Sequence, residues 1–240
     1  MGKTAPSRAG RRQERKSTDL STRWAVWYAV AADARFLSHH DAMRLWERAS
    51  ARAGLDLKFT RGFNPRPRLS FPLARPVGVA GRRELLTLEF ARPTEPASWA
   101  EGLARQLPPG WSLVATEPLA PRGRVRVKAA RYEMLLETAE RAAVKTRLAE
   151  LMPMQQWRVR RPGVAGEAGR VIDIKDCIDG LGVGDGKLSF AVLGERGPAG
   201  PADVLRLLGW GGAGDEEDPG PAALAEAMAR LTRTEIECEF

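Results

Sequence analysis

The sequence predicts an α+β protein built as two similar halves. Three observations point there. Short runs rich in β-branched and aromatic residues alternate with amphipathic runs of helical period. The order strand, helix, strand, strand, helix, strand occurs once before a basic junction and again, more loosely, after it. No apolar run approaches the roughly 18–20 residues needed to span a bilayer.

The N-terminal residues 1–21 are basic and polar and contain no apolar stretch of signal-peptide type, so they read as a disordered basic tail. From Trp24 to Val30 the run Trp-Ala-Val-Trp-Tyr-Ala-Val predicts a strand. Ser38-His39-His40-Asp41 places a hydroxyl three residues before a carboxylate, the spacing of a helix N-cap. Apolar residues then recur at Ala42, Leu45, Trp46, Ala49 and Ala53, one face of a helix, and Gly54 follows as its stop. Leu55 to Thr60 alternates as a half-buried strand does. Arg61 to Pro67 is a turn-rich loop, and Leu69–Leu73 and Leu85–Phe90 predict two further strands. Glu95 to Leu107 predicts a second helix, ended by Pro108-Pro109-Gly110, and Trp111 to Thr116 a closing strand.

After the junction Pro118–Ala130, strands are expected at Tyr132–Leu136, Trp157–Val159, Val171–Ile174, Leu188–Leu193 and Thr232–Phe240. Helices are expected at Ala139–Leu151, Ala202–Leu208 and Ala222–Leu231, with loops at Pro162–Gly169 and Gly209–Pro221. The expected architecture is therefore a disordered tail at 1–21 and two tandem ferredoxin-like (split βαβ) domains at 22–118 and 131–240. No literal repeat links the halves; the duplication rests on element order.

Composition narrows the chemistry. The chain has two cysteines, Cys177 and Cys238, and two histidines, His39 and His40. Two distant thiols predict no disulfide framework, which fits a reducing, cytoplasmic setting. They are too few for an iron–sulfur cluster of the chain's own, and the histidines cannot by themselves complete a zinc site. No cofactor and no metal are expected. The net charge of +8 and a pI near 10.1 are the electrostatic footprint of a nucleic-acid binder.

Several groups of residues could carry function. His40, Arg44, Arg48 and Arg52 recur every four residues and form one solvent-facing stripe on the first helix. In the loop, Arg61, Arg66 and Arg68 surround Phe63 and Asn64 on a backbone stiffened by Pro65 and Pro67. Guanidinium groups bind phosphate bidentately, and an aromatic ring on a rigid loop stacks on a base. Arg122, Arg124, Arg126, Lys128 and Arg131 form a junction without a neighbouring acid. His39, or His40, stands at a helix N-terminus, where a neutral imidazole is favoured and a general base is conceivable. Gly180-Leu181-Gly182-Val183-Gly184-Asp185-Gly186-Lys187 lacks the Ser or Thr and the helix that a phosphate loop requires, so it reads as a flexible hairpin.

The stretch Ala34-Arg35-Phe36-Leu37-Ser38-His39 through Arg52-Ala53-Gly54-Leu55, then Gly62-Phe63-Asn64-Pro65-Arg66-Pro67-Arg68-Leu69-Ser70-Phe71 and Pro76-Val77-Gly78-Val79, resembles the radical SAM-associated family of unknown function. Members of that family occur alone or fused behind cobalamin-binding radical SAM proteins. The resemblance runs from about Arg23 to Phe240 and includes Arg233-Thr234-Glu235 near the C-terminus. It departs at His40, where the family usually has an apolar residue, and at Arg66, where it often has histidine. The radical SAM CxxxCxxC signature is absent. The resemblance implies a radical SAM protein as partner. The family's frequent encoding near a ribonuclease and ribosomal protein genes points to RNA or ribosome-related work.

The leading expectation is a non-enzymatic accessory that binds RNA or presents a substrate in a radical SAM modification system. Arg44, Arg48, Arg61, Phe63, Asn64, Arg66 and Arg68 would form its nucleic-acid surface. One alternative is a metal-independent endoribonuclease resembling CRISPR repeat-processing nucleases. Its base would be His39 or His40, and Lys58 or Arg61 would stabilise its transition state. The other is a protein-interaction module docking an acidic partner.

Overall fold

The structure, a computed structural model, describes residues 22–163, 169–211 and 220–240. The predicted tail, and the central parts of the expected loops at 162–169 and 209–221, lie outside these residues. The protein is a mixed α+β molecule with a mostly sheet core and few helices. The first half contains β1 (Thr22–Val30), α1 (His39–Arg52), β2 (Leu69–Ser70), β3 (Ala80–Phe90), α2 (Ala100–Ala104) and β4 (Trp111–Leu119). The second contains β5 (Arg126–Leu135), α3 (Thr138–Leu151), β6 (Arg158–Arg161), β7 (Arg170–Asp173), β8 (Ile178–Gly184), β9 (Lys187–Leu193), α4 (Pro201–Leu207), α5 (Gly220–Arg230) and β10 (Thr232–Glu239).

One sheet runs through both halves in the order β4-β1-β3-β10-β5-β9-β8, with β2 paired to β3 beside that path. In the first half β4, β1, β3 and β2 are antiparallel neighbours in that order. In the second, β10, β5, β9 and β8 are antiparallel neighbours in that order. The halves meet where β10 pairs in parallel with β3, at Thr232↔Ala80 and Arg233↔Gly81. β6 and β7 form a separate hairpin.

Alternation along the strands sorts the core into layers. Trp24, Val26, Tyr28, Leu86 and Leu88 face α1 and α2, packing on Leu45, Trp46, Ala49 and Leu103. Tyr132, Met134, Leu188 and Phe190 pack with Val144, Leu148 and Leu151 of α3 and Val204 and Leu205 of α4. The opposite face holds a smaller cluster around Ala25, Trp27, Leu85, Leu119 and Ile236. The α1 cap is as its spacing predicts: the Ser38 hydroxyl oxygen accepts from the Asp41 N–H at 3.2 Å. Gly54 follows the helix with φ +68°, a conformation that suits glycine.

Several predicted elements differ from those observed. Leu55–Thr60 is not a strand; it makes only isolated bridges, Leu57↔Phe90 and Phe59↔Pro67. Its partner segment contains Pro65 and Pro67, which have no N–H to extend a ladder. The second helix shrinks to a 3-10 turn at Pro96–Ser98 followed by the short α2. Trp99 leaves helical geometry, with φ −139° and ψ −26°, to bury its ring against Trp24 and Phe90. Leu69–Leu73 contributes only the two residues of β2. The glycine-rich run is strand as far as Gly184, because β9 supplies a ladder that overrides its low propensity. The hairpin turn after it is Asp185-Gly186, both residues at positive φ.

A buried ion pair sits where the halves join. Arg233 of β10 is 0% exposed and donates from Nε to Glu84 Oε1 at 2.8 Å and from Nη2 to Glu84 Oε2; Glu84 is 1% exposed. The guanidinium also donates to the carbonyls of Ala74 and Leu73, at 3.2 and 3.4 Å. Burial acts against the charge of Arg233, but the Glu84 carboxylate outweighs it and drives the guanidinium pKa upward. Gly81 makes room for this pair, since a Cβ there would lie 2.5 Å from the Glu84 side chain. Arg75 braces the crossing segment, residues 71–79 between β2 and β3, by donating to the carbonyls of Arg35 and Val79, each at 2.6 Å.

A second clamp fixes the loop after α1. Lys58 N–H donates to the Glu89 carbonyl at 2.8 Å, and Glu89 N–H donates to the Arg68 carbonyl at 3.0 Å. The Glu89 carboxylate then meets Lys58 Nζ at 2.8 Å and Arg68 Nη1 at 3.0 Å. Burial pushes the Glu89 carboxyl up, but the hydrogen bonds from Lys58 and Arg68 hold it below the usual carboxylate range.

Two outcomes are expected. Arg233→Met strands a buried carboxylate and should cost about 3–5 kcal/mol in urea unfolding, while the Arg233→Met/Glu84→Leu pair should recover most of that. A single-variant cost below about 1 kcal/mol would mean the pair is not a keystone. For Glu89 the folded pKa lies below the unfolded one, so its stabilisation is present above the unfolded value near 4.3. It is lost as pH falls through the folded value. Glu89→Gln should therefore lose less stability than wild type between about pH 5 and pH 3, read as unfolding midpoints.

Candidate nucleic-acid interface

The residues from Lys58 to Arg68 fold back on themselves. Arg68 N–H donates to the Lys58 carbonyl at 2.6 Å, and Thr60 N–H donates to the Arg66 carbonyl at 2.8 Å. The Arg66 N–H donates to the Thr60 hydroxyl at 3.0 Å. This hairpin, anchored on β3 through Glu89, carries Arg61, Gly62, Phe63, Asn64 and Pro65 at its tip, all exposed. The Phe63 ring is fully exposed, and Phe59 is half exposed on the same hairpin. Gly62 has φ +145°, which gives the chain its turn before Phe63.

The hairpin leans on α1. Arg66 Nη1 stands 4.0 Å from Glu47 Oε1, a loose ion pair that brings the hairpin beside the helix that carries Arg44 and Arg48. The expected stripe is present: His40, Arg44, Arg48 and Arg52 are all exposed, while Ala42, Leu45, Trp46 and Ala49 are buried. Arg44 reaches its own first turn, with Nη1 3.9 Å from Asp41 Oδ1. Arg52 donates to the Gln106 carbonyl at 3.1 Å.

The predicted cations thus divide by partner. Arg68 shares Glu89 with Lys58 and is a brace of the hairpin base as well as a surface charge. Among the described residues Arg44 and Arg66 make only long pairs from exposed guanidiniums, which contribute little and exchange readily for another anion. Arg48 and Arg61 have no ion pair or side-chain hydrogen bond among the described residues. The structure sets the hairpin beside α1 through the contact of Arg66 with Glu47.

The junction behaves differently from its sequence. Arg122 and Arg124 are exposed, but Lys128 lies in β5 and meets Glu239 at 3.0 Å and Glu195 at 3.4 Å. The hydrogen bonds that Lys128 donates to the Glu239 and Glu195 carboxylates raise its pKa. Arg131 pairs with Glu237 of β10. The acids come from far along the chain, so local inspection finds none of them.

His39 is half buried. Its ring packs edge-on against Phe71, with centroids 5.5 Å apart, and lies 5.8 Å from the His40 ring. It lines a recess of only about 10 Å³ with Tyr28, Arg75 and Trp111, smaller than a substrate group requires. Lys58 is held by Glu89. Both cysteines are free thiols; burial pushes Cys238 up to about 11, and the Cys177 thiol donates to the Arg196 carbonyl. Among the described residues no group of three or more His, Cys, Asp or Glu side chains is placed to hold a metal ion, and no helix is long and apolar enough to cross a membrane.

The cluster that inspection of the sequence missed joins the buried Glu84, Arg233, Tyr28 and Tyr132 with the half-buried Arg75. Its signal was available in part, since Glu84 occupies the inward phase of β3 with Leu86 and Leu88, where a charge is out of place. A search of curated proteins finds no match to the chain. Residues 23–200 match the model of a family described as an uncharacterized protein conserved in bacteria (DUF2344), a span that includes the hairpin, α1 and the junction, and the chain belongs to that family.

Proposed function

We propose that this protein binds unpaired RNA through the Lys58–Arg68 hairpin and the exposed face of α1, as a non-enzymatic accessory of a radical SAM modification system. The observation that carries this reading is Phe63, fully exposed at the tip of a proline-stiffened hairpin beside Arg61. Duplex RNA keeps its base faces stacked, whereas loops and single strands offer them to an aromatic ring, so unpaired RNA is the fitting partner. Arg48 and Arg61, which have no ion pair among the described residues, supply phosphate contacts. Arg44 and Arg66 give up only long ones. The radical SAM partnership rests on the family resemblance of the segments 34–55, 62–71 and 76–79. The likeness of each half to a ferredoxin-like split βαβ unit is likewise part of this reading, supported by the strand orders β4-β1-β3-β2 and β10-β5-β9-β8.

The packing of His39 against Phe71 and the commitment of Lys58 to Glu89 favour an RNA-presenting role over cleavage. In filter binding, the full chain should retain an RNA hairpin with an unpaired loop better than a blunt duplex of the same composition. Affinity should fall steeply with salt, because phosphate contacts release counterions. Arg48→Ala and Arg61→Ala should each lower the salt slope by about one, and Phe63→Ala should cost about 1–3 kcal/mol at every salt concentration. Salt-insensitive binding, or a Phe63→Ala protein that binds as wild type does, would overturn the proposal.

A further inference from the structure

A cleft of about 840 Å³ opens between the two halves, with no residue of the 58–68 hairpin or of α1 in its lining. The 3-10 turn Ala32–Phe36 of the first half contributes Arg35. The second half contributes Leu135 at the end of β5, Thr138 and Arg141 at the start of α3, and Ala229 and Arg230 at the end of α5. The volume is that of a small-molecule site, and a junction between two halves is where such sites occur.

Two of the three arginines are held in place without being neutralised. The Arg35 carbonyl accepts from Arg75 Nη1 at 2.6 Å and from the Gly78 N–H at 2.9 Å, which fixes the turn that carries the side chain. The Arg35 guanidinium lies 4.9 Å from the Phe36 ring centroid. Among the described residues it meets no carboxylate and donates no hydrogen bond, its Nε included. Arg141 donates from Nε to the Leu136 carbonyl at 3.1 Å. Its guanidinium packs on Gly186, where a Cβ would stand 2.8 Å from Nη2. The two terminal nitrogens of Arg141 have no acceptor among the described residues. Arg230 is different: it spends both terminal nitrogens on Glu140, at 2.6 and 2.7 Å, and reaches the Leu135 carbonyl at 2.8 Å. The carboxylate of Glu137, also in the lining, is turned to its own helix as the cap of α3. The cleft therefore offers two positioned cations with N–H groups to spare, and such groups call for an anionic acceptor.

We infer that this cleft binds a phosphate monoester, its phosphate shared by the Arg35 and Arg141 guanidiniums and the Thr138 hydroxyl, its organic part against Leu135 and Ala229. A carboxylate holds two oxygens in one plane, which a single guanidinium fork satisfies. A phosphate has oxygens pointing in several directions and accepts from donors on separate elements. A monoester at neutral pH carries close to two negative charges, which matches two guanidiniums without carboxylate partners. The cleft is much larger than a phosphate group, and Leu135, 65% exposed, gives an organic body an apolar surface to cover.

Isothermal titration of the full chain with phenyl phosphate tests this, with inorganic phosphate and benzoate as comparisons. Phenyl phosphate should bind one to one, inorganic phosphate should bind more weakly and compete with it, and benzoate should be at least about tenfold weaker than phenyl phosphate. Arg35→Gln and Arg141→Gln should each weaken phenyl phosphate by at least about tenfold, the loss expected for a charge-assisted hydrogen bond, while keeping the wild-type unfolding midpoint. Arg160→Gln removes an exposed charge elsewhere on the second half and should leave binding unchanged. The inference is overturned if phenyl phosphate does not bind the wild type, if benzoate binds as tightly, or if either cleft variant binds as wild type does. It is equally overturned if Arg160→Gln loses as much as the cleft variants, since net charge alone would then account for the binding.

Discussion

The buried pair between Arg233 and Glu84 is the constraint on which this structure turns. The two halves share only two residue pairs of parallel ladder, between β10 and β3. A short parallel contact is weak by itself. Placing an arginine from the last strand against a glutamate from the third, separated by 149 positions in the chain, makes the junction specific. Neither charge tolerates the loss of the other in a site closed to water. The same guanidinium reaches the Leu73 and Ala74 carbonyls, so the crossing segment is drawn into the junction with the strands.

That crossing segment links the interior to the start of α1. Arg75 within it holds the turn before α1 through the Arg35 carbonyl, and so sets where α1 begins. The hairpin at 58–68 is fixed separately, by Glu89 on β3, the strand that also carries Glu84. The exposed basic face therefore rests on a rigid strand and helix, although its tip residues belong to a loop. Leu73 and Pro76 of the same segment border a cavity of about 300 Å³ that Tyr132 also lines. One strand, β3, thus orients an outward arginine surface and an inward charge cluster.

The distribution of carboxylates decides which arginines are available to a partner. A net charge of +8 says nothing about which cations are spent inside the molecule. Lys128 and Arg131 look free in the sequence and are paired in the fold, because β10 lays Glu237 and Glu239 alongside β5. Among the described residues Arg48 and Arg61 pair with no carboxylate, and the same holds for the exposed Arg160, Arg170 and Arg196 of the second half.

By itself the sequence determined the elements whose signal is local. Helix α1 was legible from the Ser38 cap, its apolar period and Gly54, and so was its arginine stripe, because helical spacing alone puts residues four apart on one face. The exposed aromatic and arginines of the hairpin were legible from Gly62, Pro65 and Pro67. Only the tertiary structure decided what depends on distant partners: that Leu55–Thr60 makes bridges and not a strand, that the glycine-rich run becomes β8 against β9, and that Arg68 is clamped by Glu89. The buried pair of Glu84 and Arg233, with the half-buried Arg75 beside it, belongs to the same class. Pairing, burial and charge neutralisation are set by residues brought together from across the chain, and no local window of sequence contains both partners.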